Sequence, residues 1–231
     1  MQHYFRIKLK ARKGDQNENN VLIFELNDLI FRKNIYYKTY LEEGIALECN
    51  SFLDILVNAV YMEKFRWVIS FYENFSKYIN KDHSKDCYSI FSAFISYHKQ
   101  DFAESIYHLN QISNKLPYVF LEGKFLYCFA AFEMKYFDPL NVHLKYFSAY
   151  IKNNKSLNRI SVRESALFIR YFRKFMKIRN SSDLDIKTEL NKLKKEIERE
   201  EKFIPYRKWI LQIINNIVRA ESLPAGIARL K

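Results

Sequence analysis

Apolar residues recur three and four positions apart along nearly the whole chain after Val21. Side chains at this spacing share one face of an α-helix, so the pattern predicts a helical protein. The 231 residues include only four glycines, which argues against nucleotide-binding α/β folds and turn-rich β-sandwiches, because both need many glycine turns. A hydrophobic share of 48% excludes intrinsic disorder. We therefore expect an all-α protein.

The periodicity predicts eleven helices joined by short connections. They lie near residues 20–32, 33–48, 51–62, 65–80, 86–99, 101–114, 117–134, 138–152, 158–178, 183–202 and 205–220. Ser51 and Asp101 are typical residues at the start of a helix, and Pro139 is typical of a first turn. Connections of about two to six residues make successive helices antiparallel neighbours. The sequence therefore predicts stacked helix hairpins.

The two ends of the chain lack the helical period. Residues 1–20 alternate apolar and basic side chains and then become polar, so we expect an extended or loosely ordered segment. The sequence leaves open whether this segment continues a longer natural chain. We expect helical repeats over 21–155, basic helices that cap the stack over 156–221, and a short tail over 222–231.

Comparison of the chain with itself indicates an internal repeat. A shift of 35 positions aligns Ala93 with Cys128, Tyr97 with Phe132, Phe102 with Phe137, His108 with His143 and Leu109 with Leu144. A unit of this length cannot bury its apolar face alone, so such units stack on one another.

One repeat carries a recognisable pattern of small, aromatic and large residues. Its members are Ala93, Phe102, Ser105, Leu109, Ile112 and Pro117. The pattern resembles that of tetratricopeptide repeats, in which small residues let two helices approach and large ones fill the space to the next repeat. The resemblance covers residues 50–155, although Lys99 and Gln100 replace the usual glycine turn and Leu140 stands where a small residue belongs. It implies a right-handed α-solenoid that serves as a protein–protein interaction scaffold.

The same resemblance implies a ligand-binding groove on the first helices of two repeats. Its candidate residues are Ile90, Phe94, Tyr97, Glu122, Phe125, Phe129 and Phe132. The lysines and asparagines with which some of these proteins bind a C-terminal carboxylate are absent, so an apolar groove for a hydrophobic peptide or helix is expected. Aromatic residues at helical spacing are also typical of a core, and this alternative stays open.

The positive charge is concentrated near the C-terminus. Residues 1–150 contain 18 Lys/Arg and 17 Asp/Glu, whereas residues 151–231 contain 20 and 9. A basic face is predicted at Arg159, Arg163, Arg170, Arg173, Lys174 and Lys177. Such a face can bind acidic side chains or phosphates. A solvated helix in a lysine-rich protein would show the same pattern.

No sequence motif predicts catalysis, a metal or a cofactor. The five histidines form no His-x-x-x-His pair, and the chain has neither a glycine-rich phosphate loop nor a Gly-x-Ser-x-Gly element. The cysteines Cys49, Cys87 and Cys128 are expected to be separate, reduced and buried, which suits the cytoplasm. Neither a signal peptide nor a membrane-spanning stretch is predicted.

These observations favour a non-enzymatic scaffold that binds an acidic or amphipathic protein segment or a partner subunit. The alternative is a nucleic-acid-binding helical protein that uses the basic face for phosphate contacts. A third possibility is self-association through an apolar seam. That seam comprises Leu184, Ile186, Leu190, Leu193 and Ile197.

Overall fold

The computed structural model describes residues 16–37, 47–113, 115–181 and 185–220. Within these ranges the protein has ten α-helices and no β-strand, so the all-α prediction is confirmed. The helices are α1 (Gln16–Tyr37), α2 (Cys49–Tyr61), α3 (Phe65–Phe75), α4 (Ser84–His98), α5 (Phe102–Leu109), α6 (Pro117–Glu133), α7 (Phe137–Asn153), α8 (Arg159–Arg179), α9 (Ile186–Arg199) and α10 (Arg207–Ala220). Two short 3-10 turns, Ser76–Tyr78 and Lys81–His83, lie between α3 and α4.

The first helix differs from its prediction at both ends. It begins at Gln16, inside the segment expected to be loosely ordered, and it continues without the break predicted near residue 32. Helix α1 is secured by tertiary packing, which overrides the weak helix propensity of its first turn. The rest of the predicted N-terminal segment, residues 1–15, and the predicted tail, residues 222–231, lie outside the described residues.

Packing of α1 centres on Trp67 of α3. The ring of Trp67 lies 5.2 Å from that of Phe24 and 5.1 Å from that of Phe31. Its indole N–H donates a 2.8 Å hydrogen bond to Asp28. Because a buried indole needs a partner for its polar N–H, this bond lets Trp67 join the α1 interface at little cost.

Helix α3 ends at Phe75, earlier than the predicted residue 80. Ile79 instead forms a parallel β-bridge with Leu47. The N–H of Leu47 donates to the carbonyl of Tyr78 at 2.6 Å. The predicted helix over 33–48 is likewise wrong at its end, because the backbone of Leu47 is engaged in this bridge.

The chain divides into two compact units, residues 1–141 and 142–231. In the first unit, one type of turn recurs at the ends of α2, α4 and α6. The residues in the left-handed conformation are Glu63, Gln100 and Lys135, with φ of 58°, 63° and 60°. In each turn the next N–H donates a 2.9 Å bond to the carbonyl five positions earlier, as in a Schellman motif. The three turns are spaced 37 and 35 residues apart, which matches the internal repeat of the sequence.

Helices α4, α5 and α6 pack closely in the same unit. Ala93 and Ser105, the small residues of the sequence pattern, are both fully buried. Gly123 brings α6 so near to the end of α5 that a Cβ atom at this position would lie 3.6 Å from Cδ2 of Leu109 and 3.1 Å from Cδ1 of Ile112, which follows α5. Small residues therefore set the spacing of these helices, as the sequence pattern predicts.

The second unit contains a core formed by α8, α9 and α10. Its buried residues include Phe168, Tyr171, Phe172, Phe175, Leu190, Leu193, Ile197, Ile210 and Ile214. Three members of the apolar seam proposed for self-association therefore lie in the core of one chain, because a seam this apolar is covered by neighbouring helices. Leu184 lies outside the described residues.

The structure pairs two of the cysteines. Cys49 and Cys87 form a disulfide between the first turns of α2 and α4, with Cα atoms 6.5 Å apart. The prediction of three separate thiols is wrong for this pair, because sequence spacing does not show that the two turns meet. Cys128 in α6 is free and buried as predicted, and burial raises the pKa of its thiol.

Candidate functional site in the C-terminal unit

The residues of the predicted apolar groove lie mostly in the core. Four of the seven are buried, with exposed fractions of 3% or less: Ile90, Phe94, Phe125 and Phe129. Tyr97, Glu122 and Phe132 are partly exposed. Because the first four side chains are covered by neighbouring helices, they provide no accessible surface for a peptide in this structure.

The net positive charge lies entirely in the second unit. Residues 1–141 contain 17 Lys/Arg and 17 Asp/Glu, whereas residues 142–231 contain 21 and 9. The formal net charge of +12 therefore belongs to a unit of 90 residues. Such an imbalance attracts acidic partners and accelerates their association.

Helix α8 presents the predicted basic face. Asn158 caps the helix by accepting a 2.8 Å hydrogen bond from the N–H of Ser161. An amphipathic helix places its polar residues opposite the buried stripe, and the buried stripe here includes Phe168 and Phe172. All six predicted basic residues are exposed: Arg159, Arg163, Arg170, Arg173, Lys174 and Lys177.

Half of this face is engaged within the chain. Lys174 forms a 2.7 Å ion pair with Glu196 of α9, and Arg170 lies 3.6 Å from Glu196 and 3.7 Å from Glu200. Arg173 donates a 2.8 Å hydrogen bond to the carbonyl of Leu144. These side chains hold helices together, a role that their spacing in the sequence did not reveal.

The other half of the basic face forms no ion pair or hydrogen bond within the part of the chain that the structure describes. Arg159, Arg163 and Lys177 form neither a hydrogen bond nor an ion pair with any residue that the structure describes. Exposed cations of this kind are free to contact an acidic partner.

An open cleft of about 690 Å³ lies beside α8 and α9. Arg170 and Tyr171 of α8 line it together with α9 and the segment that follows. The remaining lining residues are Lys192, Lys195, Glu196, Arg199, Glu200, Glu201 and Lys202. Lys192, Lys195 and Arg199 recur three and four positions apart, so they share one face of α9. The cleft thus contains five cationic and three anionic side chains.

Hydrogen bonds fix one end of the cleft. The carboxylate of Glu200 accepts hydrogen bonds from the phenol of Tyr171 at 3.0 Å and from the N–H of Lys202 at 3.2 Å. These bonds, that of the Lys202 N–H first, lower the pKa of Glu200. Arg207 donates to the carbonyls of Glu200 and Lys202 at 2.7 and 2.6 Å. The segment after α9 is therefore held in place before any ligand arrives.

Sequence reasoning missed the cleft residues on α9. The run from Glu196 to Lys202 mixes both signs and reads as an ordinary solvated face with helical ion pairs. The spacing of Lys192, Lys195 and Arg199 is visible in the sequence. The sequence does not show that Glu196 turns toward Arg170 and Lys174. Lys195 and Arg199 of α9 are consequently left without an ion pair among the described residues.

Other kinds of site find no support in the described part of the chain. No group of three His, Cys, Asp or Glu residues is placed to hold a metal ion there. His108 lies 3.2 Å from Glu104 one helical turn away. Among the described helices, none has the length and apolar character needed to cross a bilayer.

Comparison with known proteins found no match to this chain. No protein-family model matches the chain, and no curated protein or solved structure matches it either.

Proposed function

We propose that this chain is a non-enzymatic protein-binding module whose C-terminal unit captures an acidic or amphipathic segment of a partner protein. The observation that carries the proposal is the segregation of charge, since the whole net charge of +12 lies in residues 142–231. Within that unit Arg159, Arg163 and Lys177 are exposed and form neither a hydrogen bond nor an ion pair with a residue that the structure describes. Complementary charge of this kind speeds association and selects acidic partners.

For the N-terminal unit we propose a stack of hairpins similar to tetratricopeptide repeats, in the form of a right-handed α-solenoid. Three turns of the same geometry at a spacing of 37 and 35 residues support it. So does the packing of α6 against both helices of the preceding hairpin. In a stack of this kind each hairpin packs on its neighbours.

Fluorescence anisotropy tests the binding proposal with defined probes. The acidic probe is a short labelled peptide that alternates Glu and Leu, and its control carries Gln in place of each Glu. We expect the acidic peptide to bind and the glutamine peptide not to bind, with an affinity that falls as salt is added, because exposed charges are screened over about 10 Å at 0.1 M salt. Equal affinity for both peptides would remove the electrostatic basis of the proposal.

A labelled oligo-dT of the same charge serves as the second probe. Nucleic acid is the competing partner, because exposed Arg and Lys residues also neutralise phosphates. Tighter binding of oligo-dT than of the acidic peptide, with a steep salt dependence, would replace the protein-binding proposal by nucleic-acid binding.

A further inference from the structure

The cleft beside α8 and α9 combines free cations with a fixed wall. Lys195 and Arg199 are exposed, line the cleft and form no ion pair with any described residue. They lie four positions apart, so their charged groups project from the same face of α9. Two positive charges that lie close together and form no ion pair with a described residue can bind a matching pair of negative charges on a partner.

The nearby carboxylates do not neutralise these cations. Glu196 is engaged by Lys174 at 2.7 Å and by Arg170 at 3.6 Å. Glu200 is engaged by Tyr171 at 3.0 Å. Glu196 and Glu200 are thus directed to the α8 wall, and Lys195 and Arg199 keep their positive charge.

The far end of the cleft is pre-organised. Arg207 binds two carbonyls of the segment that follows α9, those of Glu200 and Lys202. Lys202 consequently lines the cleft on a segment that is already fixed. A ligand therefore does not have to order this wall on binding, which reduces the entropic cost of association.

Two features favour an acidic protein segment over a nucleic acid as the occupant. Glu201 is exposed in the cleft without an ion-pair partner among the described residues, and its carboxylate can accept hydrogen bonds from the backbone N–H groups of a peptide, whereas a phosphate backbone has no such donors. The aromatic residue of the lining, Tyr171, is only 1% exposed. It therefore offers no ring surface on which a base could stack, as proteins that bind single strands require.

We infer that this cleft is the docking site for the acidic segment, with Lys195 and Arg199 binding its carboxylates and Glu201 accepting hydrogen bonds from its N–H groups. The inference rests on the proposed function and assigns it to a particular place on the C-terminal unit. The exposed face of α8 then contributes long-range attraction, whereas the cleft makes the direct contacts.

Two double variants of the full chain with the same change in net charge test the assignment. K195E/R199E alters the cleft, and R159E/R163E alters the free part of the α8 face. At physiological salt, where the screening length is about 8 Å, we expect the cleft variant to weaken binding of the acidic peptide about tenfold. The face variant should weaken it no more than about twofold.

The remaining outcomes separate the two proposals. Equal losses in both variants, or a larger loss in R159E/R163E, would overturn the cleft assignment and leave the proposed function standing. Failure of the wild-type chain to bind the acidic peptide would overturn both. If oligo-dT binds the wild type more tightly than the peptide and only K195E/R199E loses it, the cleft is a phosphate site and the inference is wrong. Circular dichroism verifies folding, and K195Q/R199Q replaces the charge reversal if that variant unfolds.

Discussion

The hydroxyl of Ser105 donates a 2.9 Å hydrogen bond to the backbone carbonyl of Ala93 across the α4–α5 hairpin. Both residues are fully buried, and both are small enough to let the helices approach. Replacement of Ser105 by Ala removes the bond and is expected to lower the free energy of unfolding by about 1 kcal/mol. Replacement by Leu also forces the helices apart and should cost about 1–3 kcal/mol more. Urea denaturation measures both, and equal stability of the two variants would contradict close packing at this position.

The left-handed conformation of Gln100 predicts a stabilising change. A residue with a side chain is strained at φ of 63°, whereas glycine adopts this conformation readily. We therefore expect Gln100→Gly to raise the free energy of unfolding by about 0.5–1 kcal/mol. Gln100→Ala, which keeps a Cβ atom, is the matched control and should not stabilise. Thermal unfolding of the wild type and the two variants measures these differences. A glycine variant less stable than the wild type would show that the turn has another geometry.

The hydrogen bond from the phenol of Tyr171 to the carboxylate of Glu200 predicts a change in the pKa of Glu200 when Tyr171 is replaced. Hydrogen bonds from the N–H of Lys202 and from Tyr171 keep the pKa of Glu200 below its ordinary value of 4.5. Tyr171→Phe removes one of these donors and should raise the pKa of Glu200, though not fully to 4.5, because the Lys202 bond remains. Carbon NMR titration of the Glu200 carboxyl measures the shift.

The lowered pKa of Glu200 also makes the free energy of unfolding depend on pH. A carboxyl group whose pKa is lower in the folded state stabilises the protein fully above its unfolded pKa, and this contribution is lost as the pH falls through the folded value. In Tyr171→Phe the contribution should therefore be smaller and should be fully lost at a higher pH than in the wild type, because its loss begins at the same unfolded pKa and ends at a raised folded pKa. A pKa of Glu200 that is unchanged or lower in Tyr171→Phe would contradict the hydrogen bond.

The cysteines predict a thiol count. Because Cys49 and Cys87 form a disulfide and Cys128 is free, the denatured chain should have one reactive thiol without reductant and three after reduction. A chromogenic thiol reagent measures both numbers, and peptide mapping identifies the linked pair. Three reactive thiols before reduction, in protein purified without reductant, would show that the pair is not bonded.

Local sequence signals predicted the secondary structure and much of the core. The helical period predicted a helix near residues 158–178, which the structure has as α8 (Arg159–Arg179), because apolar residues at this spacing form one face that packs inward. The small–aromatic–small pattern predicted the burial of Ala93 and Ser105, because close helix packing restricts residue size. Contacts between distant parts of the chain were not visible in the sequence. Helix α3 ends at Phe75, before the predicted residue 80, and Ile79 pairs with Leu47 instead.

The candidate site was predicted in part for the same reason. The basic face of α8 could be identified from spacing alone, and all six of its residues are exposed. Its division into free and engaged halves depends on where α9 lies, because Glu196 reaches Arg170 and Lys174 across 26 and 22 positions of the sequence. Spacing within one helix carries no information about such contacts. The sequence left open, for a related reason, whether the aromatic residues of α4 and α6 form a groove or a core, since periodicity shows which residues share a face but not what covers that face.

Photo-cross-linking of the acidic peptide tests the central claim most directly. A benzophenone group in the peptide, activated in complex with the full chain, attaches it to nearby residues that mass spectrometry then identifies. The account predicts cross-links within residues 159–207, where the exposed cations of α8 and the cleft lie. Cross-links confined to residues 49–133 in the neutral N-terminal unit would contradict it.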